Sequence, residues 1–231
     1  MVCNVITADK ANRLFWLGRY AERVYISLHL LRRYYDKMID GDKLALTEYY
    51  KHLGLQAENA DCKSFQLAQL YDTKNICSIA TSLDLANDNS IVLRRDLTSE
   101  SISYIHLSQV LLNECALAQE SNITKLQPIT DYMLAFFGSV DERIFDKRIR
   151  KFIKVGKLIE NLDLHIRFDY EFFRIEEVFD KLKEYLAQLD NIEDVTTMER
   201  LEELLSEEQY SNPTANYKST ILGYINTLVV I

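Results

Sequence analysis

The sequence predicts an all-α protein, a compact multi-helix bundle with two long signature helices, and three observations carry that prediction. With 6 Gly and 2 Pro in 231 residues, few positions punctuate the chain. Leu, Glu, Lys, Ala and Gln, all good helix formers, fill most of the periodic stretches. No segment with the period of a strand is long enough to propose a sheet. A chain of this length buries a sizeable core as a single helical domain over 1–231, with candidate pseudo-repeat halves at about 1–120 and 121–231.

Taken in order, the first long helix is predicted from about Ala8 to Ile39, with Thr7 or Asp9 as its N-cap and a stop at Asp40 and Gly41. Shorter helices are predicted at 43–53, 62–71 and 74–86, with Gly54 separating the first two. Between Asp84 and Asp96, the run Asn87, Asp88, Asn89 weakens helix propensity, while Ile91, Val92 and Leu93 could continue a helical face. Thr98, Ser99 and Glu100 read as a fresh helix start reaching about Gln119. Further helices are predicted at 130–137, 140–170, 173–190, 195–209 and 216–229, with breaks at Pro128, Gly138 and the Asn212, Pro213 pair. The apolar end Leu228 to Ile231 either completes the bundle or forms a patch for another protein.

A repeated motif marks the signature helices. Gly18, Arg19, Tyr20, Ala21, Glu22, Arg23 has a counterpart in Gly156, Lys157, Leu158, Ile159, Glu160, Asn161. The glycines and the glutamates are both 138 positions apart (156 − 18 and 160 − 22), and the flanking apolar residues keep that offset. Leu14, Leu17, Ala21, Val24 and Leu28 fall opposite Phe152, Val155, Ile159, Leu162 and Ile166. A glycine costs about 1 kcal/mol against alanine inside a helix, so its double placement implies a structural or chemical use. An internal repeat of two related halves is the expectation.

At about 100° per residue, Leu14, Leu17, Ala21, Val24, Leu28 and Leu31 form one apolar stripe of the first helix and Phe15, Ile26 and Leu30 another. Gly18, Glu22, Tyr25 and His29 lie between them, and the corresponding strip of the second helix is Gly156, Glu160, Asp163 and Arg167. A polar strip between apolar faces is sheltered, so its carboxylates need partners, and Arg19 is a local candidate for Glu22. Two readings stand. In one, the glycines allow close helix approach while Arg19, Glu22, Glu160 and Arg167 form a structural ion network. In the other, the strips enclose a polar cleft in which arginines bind an anion and a carboxylate acts as base or cation ligand.

Composition narrows the remaining classes. A net charge of −8 and 35 acidic against 27 basic residues argue against nucleic-acid binding. Cys3, Cys62, Cys77 and Cys115 are widely spaced, and His29, His52, His106 and His165 are scattered without metal-ligand spacing, so no metal site is predicted. The absence of Glu-x-x-His disfavours a di-iron bundle. No apolar run approaches the roughly 20 residues needed to span a bilayer, and Met1 to Lys10 lacks a signal-peptide core. A reduced cytoplasmic protein is expected. The tyrosines, including Tyr34, Tyr35, Tyr49 and Tyr50, read as helix-packing residues.

The segment Leu14 to Arg23 resembles the signature of the bacterial alpha-E domain, an all-helical domain named for its Glu-Arg motif. Asn89, Arg94, Ser99 and Glu100 agree with a second stretch of the family pattern, whereas Asn87, Asp88, Ile91 and Ile102 depart from its usual Arg, Glu, Arg and Trp. Phe152 to Arg167 resembles a third element, with the usual Gly-Arg-x-x-Glu-Arg present as Gly156, Lys157, Leu158, Ile159, Glu160, Asn161. The resemblance implies an all-helical bacterial protein, commonly encoded or fused with circularly permuted ATP-grasp and transglutaminase-like proteins. Such a system suggests peptide or amide-bond synthesis, with this chain as an accessory or scaffold subunit.

By resemblance, Arg19, Glu22, Arg23, Arg94 and Glu160 form a polar centre. Lys157 and Arg167 are further candidates for binding an anion or partner, and Gly18, Gly156, Asn89 and Glu100 belong to the structural motif. The competing expectation is a stand-alone enzyme acting on an anionic or peptide substrate, with Glu22 or Glu160 as general base and Arg19 or Arg94 stabilising negative charge. Ser27, His29 and Cys115 sit in ordinary helical contexts, and no nucleophile-base pair or phosphate loop accompanies them.

Overall fold

Apolar residues recur so densely along the first long segment that both of its stripes are buried, and it folds as one helix, α1 (Ala8–Ile39). The computed structural model describes residues 6–55, 62–190 and 192–231. Cys3 and the rest of residues 1–5, half of the N-terminal stretch read for a signal-peptide core, lie outside the described residues, as does the Cys62 side chain. The Thr7 hydroxyl accepts from Lys10 N at 3.3 Å and opens α1. Asp9, the other predicted cap, sits in the first turn and accepts from Arg13 Nε at 3.2 Å. The helix stops where predicted, with Gly41 at φ +93°, a left-handed conformation open to glycine without steric cost.

Ten more helices follow among the described residues: α2 (Ala45–His52), α3 (Cys62–Tyr71), α4 (Ile79–Val92), α5 (Ser99–Leu117), α6 (Gln127–Arg143), α7 (Lys147–Arg167), α8 (Phe172–Leu186), α9 (Val195–Leu204), α10 (Glu207–Ser211) and α11 (Tyr217–Thr227). A 3-10 turn at Ile123–Leu126 leads into α6. The described residues form no strand, and one isolated antiparallel bridge pairs Glu193 with Val229. The all-α prediction therefore holds. No helix among the described residues is long and apolar enough to cross a membrane.

Predicted helix limits shift at three places in the chain, each for a physical reason. The helix predicted over 74–86 begins only at Ile79, because Asp72 and Asn75 turn their side chains onto Lys74 N and Cys77 N, both at 2.9 Å, and Ser78 caps the helix on Thr81 N. It then runs to Val92 through Asn87, Asp88 and Asn89, since Ile79, Leu83, Ala86 and Ser90 are buried and packing outweighs weak propensity. Gly138 does not break the chain: α6 passes through it with Met133, Phe136, Phe137 and Val140 in the core, and the break falls instead at Ile144, which is extended. The segment predicted over 195–209 divides at Leu205, after which Ser206 caps α10.

Gly138 faces solvent, and a Cβ there would meet nothing within 4 Å. Gly138→Ala is therefore expected to stabilise the protein by about 0.5–1 kcal/mol. An upward shift of the urea midpoint at unchanged slope would show this.

The chain divides into two compact units. The first takes the described residues up to Arg19 together with Lys147–Ile231. In it, α7 packs along α8, and α11 packs on both α7 and α9. The end of the chain is tied in by Asp194 N donating to Leu228 O and Val230 N to Ile192 O, at 2.9 and 2.8 Å. Leu228 is buried, whereas Val230 and Ile231 are exposed.

The second unit is Tyr20–Asp146. Here α5 packs against α4 and α6, and α3 lies on α4 and α5. The tyrosines do pack helices: Tyr34, Tyr49, Tyr50 and Phe65 form a buried aromatic group, with edge-to-face contacts at 5.2–5.4 Å between Tyr34 and Tyr49 and from Phe65 to Tyr49 and Tyr50.

Candidate functional site

The repeated glycines meet inside the first unit, where α1 and α7 cross. A Cβ on Gly18 would overlap the Ile153 carbonyl oxygen and lie 2.9 Å from its carbon and 3.0 Å from Lys157 N. A Cβ on Gly156 would overlap the Phe15 carbonyl oxygen and lie 2.8 Å from its carbon and 3.1 Å from Arg19 N. The contact is reciprocal at the offset read from the sequence, since 153 − 15, 156 − 18 and 157 − 19 are each 138. Both neighbours are main chain, so two backbones touch through two missing side chains.

One residue beyond Gly18, Arg19 leaves the crossing toward α7. Its Nε donates to Glu160 Oε2 at 2.8 Å, so the cation of the first motif is held by the carboxylate of the second. Arg19 is 5% exposed and Glu160 1%. Trp16, one turn earlier on α1, lies under the guanidinium at 4.8 Å from its ring centroid, and Asn226 Oδ1 of α11 accepts from both Nη atoms at 3.4 Å. The guanidinium is thus sandwiched between an aromatic face, a carboxylate and an amide, an arrangement suited to its planar donors.

The next turn of α7 adds a second pair. Arg167 donates through Nε and Nη2 to the two carboxylate oxygens of Asp163, which is 4% exposed. Lys218 of α11 closes the end of that helix by donating to Arg167 O at 3.1 Å and to Asp169 Oδ1 at 2.6 Å. Burial pushes the Asp163 carboxyl above the usual range; Arg167 opposes the shift and Glu160 adds to it. A raised folded pKa means that the native state binds more protons than the unfolded chain in the window between the two values. The contribution of Asp163 to stability is therefore expected to fall as pH rises from its unfolded pKa through the raised folded value. Comparing the pH dependence of the wild type with that of Asp163→Asn isolates this term.

The other sequence candidates fall in the second unit, with the exception of Lys157, which is half-buried on α7. Glu22 is 1% exposed, and its carboxylate, after burial itself, helps hold the Tyr25 phenol above its ordinary pKa. Arg23 is half-buried with its guanidinium 5.9 Å from the Tyr20 ring centroid. Asn89 is half-buried on α4, and Arg94 is exposed in the turn that follows. Glu100, exposed in the first turn of α5, pairs with Arg143 at 3.5 Å.

Of the histidines, His29 and His106 are exposed, His52 lies beside Tyr34, and His165 stacks on Tyr170 at 4.1 Å. Among the described residues, no group of three His, Cys, Asp or Glu side chains comes together.

A family model described as a predicted alpha-helical domain with a conserved ER motif, the alpha-E family, matches residues 8–193. The chain belongs to the alpha-E family. The matched residues of this alpha-E chain contain two Glu-Arg pairs, Glu22, Arg23 and Glu142, Arg143, while Glu160 is followed by Asn161. No curated protein matches the chain, and no solved structure does.

Three members of the alpha-E crossing escaped sequence reasoning. Trp16 was legible in principle, because an aromatic three positions before an arginine on a helix shares its face. Asn226 and Lys218 carry no local signal, since they reach α1 and α7 only through the packing of α11.

Proposed function

We propose that this alpha-E chain is a non-catalytic helical scaffold, an accessory subunit of an ATP-grasp and transglutaminase-associated system that forms peptide or amide bonds in the bacterial cytoplasm. One observation carries the non-catalytic part: the motif cation Arg19 and the motif carboxylate Glu160 are buried against each other at 2.8 Å. A general base must reach a substrate proton within hydrogen-bond distance, and Glu22 and Glu160 are each 1% exposed. The signature in this arrangement serves the helix crossing. The partner class rests on the family resemblance, and the exposed Arg94 supplies a charge that a partner could meet.

The stand-alone enzyme reading would need one of those carboxylates opened to solvent, and no observation favours it. Purification of the protein at native abundance from its own cell, with mass spectrometry of everything retained, tests the scaffold reading. Stoichiometric recovery of an ATP-grasp or transglutaminase-like protein is the expected result. Recovery of the chain alone would overturn the partner assignment. A Glu22→Gln protein that stays folded yet loses a measured turnover would overturn the non-catalytic assignment.

A further inference from the structure

In the second unit, α5 packs against both α4 and α6 and buries one face, Ser101, Ile105, Ser108, Leu112 and Cys115. The opposite face is apolar as well. At about 100° per residue, Leu107, Val110 and Leu117 share one stripe on the far side of the helix from the buried one. They are 44%, 40% and 89% exposed, and Leu134 of α6 is also exposed.

The two helices are held in antiparallel register by the Ser139 hydroxyl, which donates to the Ser101 hydroxyl at 2.8 Å, and by Arg143, which meets Glu100 at 3.5 Å. That register brings Leu134 about level with Leu107, and Gly138 about level with Ser103. Ser103 and Gly138 both face solvent, so two small residues open a saddle beside the two leucines. Nothing comes within 4 Å of where a Gly138 Cβ would stand. At Gly18 and Gly156 the missing Cβ admits the backbone of a second helix, and Gly138 offers the same access from outside.

Charge decides what this face fits. Together α4, α5 and α6 carry seven Asp and Glu side chains against one Arg and no Lys, a formal −6 of the −8 of the whole chain. The one Arg is the partner of Glu100, while Asp84 and Asp131 accept from the neutral amides of Gln109 and Gln127. Glu114 lies on the apolar stripe between Val110 and Leu117, and Asp131 and Glu142 lie on the exposed side of α6 with Leu134 and Gly138. A second copy of the chain would bring like charge against like charge here. An apolar face inside an acidic border is instead complementary to a helix whose apolar side is bordered by Lys and Arg.

We propose that the outer face of α5 and α6 is a docking surface for a basic amphipathic helix of a partner protein. Leu107, Val110 and Leu134 are its apolar contacts, Gly138 is the point of closest approach, and Glu114, Asp131 and Glu142 are its charged border. The proposal deepens the scaffold reading and rests on it for the premise that the chain works by holding a partner.

Titration of the full-length isotope-labelled protein with a synthetic peptide, followed by nuclear magnetic resonance, tests the face. The probe is an amidated peptide of about five helical turns, made of Leu, Lys and Ala with the leucines at helical spacing along one side and lysines flanking them. A scrambled isomer of equal charge and composition is the parallel arm. Saturable shifts confined to the exposed amides of α5 and α6 are expected with the ordered peptide, with binding of the scrambled isomer weaker by about tenfold or more. Leu107→Ser combined with Leu134→Ser should weaken the ordered peptide by about tenfold or more. Asp131→Asn combined with Glu142→Gln should weaken it and flatten its dependence on salt. Gly138→Ala should also weaken it, although that change stabilises the fold. Equal binding of the two isomers, unchanged binding in any of these variants, or self-association that shifts the same amides without peptide would each overturn the proposal. The wild-type comparison of the two isomers decides first, so failure of a variant to fold leaves the test intact. Failure of the ordered peptide to saturate overturns this face whatever co-purifies with the chain, whereas saturation together with recovery of the chain alone keeps the face and overturns the partner assignment.

Discussion

Gly18→Ala and Gly156→Ala are each expected to destabilise the protein by about 3–5 kcal/mol, enough to unfold many domains of marginal stability. Intrinsic helix propensity predicts the opposite sign, since alanine is favoured over glycine by about 1 kcal/mol in a helix interior. The reversal comes from what the new methyl group meets. At both positions it meets a backbone carbonyl of the facing helix rather than the end of a flexible side chain, and two packed helices can relieve that overlap only by separating. Urea denaturation of each variant beside Gly138→Ala provides the check, because the same chemical change at the exposed glycine should move the midpoint the other way. Both contacts belong to one crossing, so the double variant should cost less than the sum of the singles. A midpoint at or above wild type for Gly18→Ala would mean that the helices do not approach as described.

The second large effect concerns charge. Removing one member of the buried Arg19–Glu160 pair, as in Glu160→Met, should cost about 3–5 kcal/mol, because the guanidinium is left buried without its carboxylate. Replacing both, as Arg19→Met with Glu160→Met, should recover most of that loss, since apolar pairs of similar volume commonly match buried ion pairs in stability. Thermal unfolding of the two singles and the double separates the cost of an orphaned charge from the net value of the pair. The double variant also bears on the scaffold reading: a stable protein that still recovers its partner would confine the motif to holding the crossing.

The crossing was largely legible in the sequence, and the reason is geometric. The Gly-basic-x-x-Glu repeat at an offset of 138 names the glycines that touch, and helical periodicity places Glu22, Glu160 and Asp163 on sheltered strips, where they are buried. The residue that Arg19 would meet was not legible. Glu22 was the local candidate at helical spacing, yet the guanidinium bonds Glu160, 141 residues away, and side-chain direction on a helix does not choose between a neighbour on the same helix and one across a crossing. Helix ends were misread where buried apolar faces carried the chain through weak formers, as at Asn87 to Asn89 and at Gly138.

The division of the chain into units sets an order of events during synthesis. Tyr20–Asp146 is one continuous stretch, so its internal contacts can form once Asp146 has left the ribosome. The other unit has no such freedom, because the first turns of α1 must wait for α7 and α11. Arg19 stays without Glu160 for 141 residues of translation and without Asn226 for 207. During that interval Leu14, Phe15 and Leu17, which end in the core, are an apolar face in need of temporary cover, so the signature segment is a place for a chaperone to hold while the chain is being made.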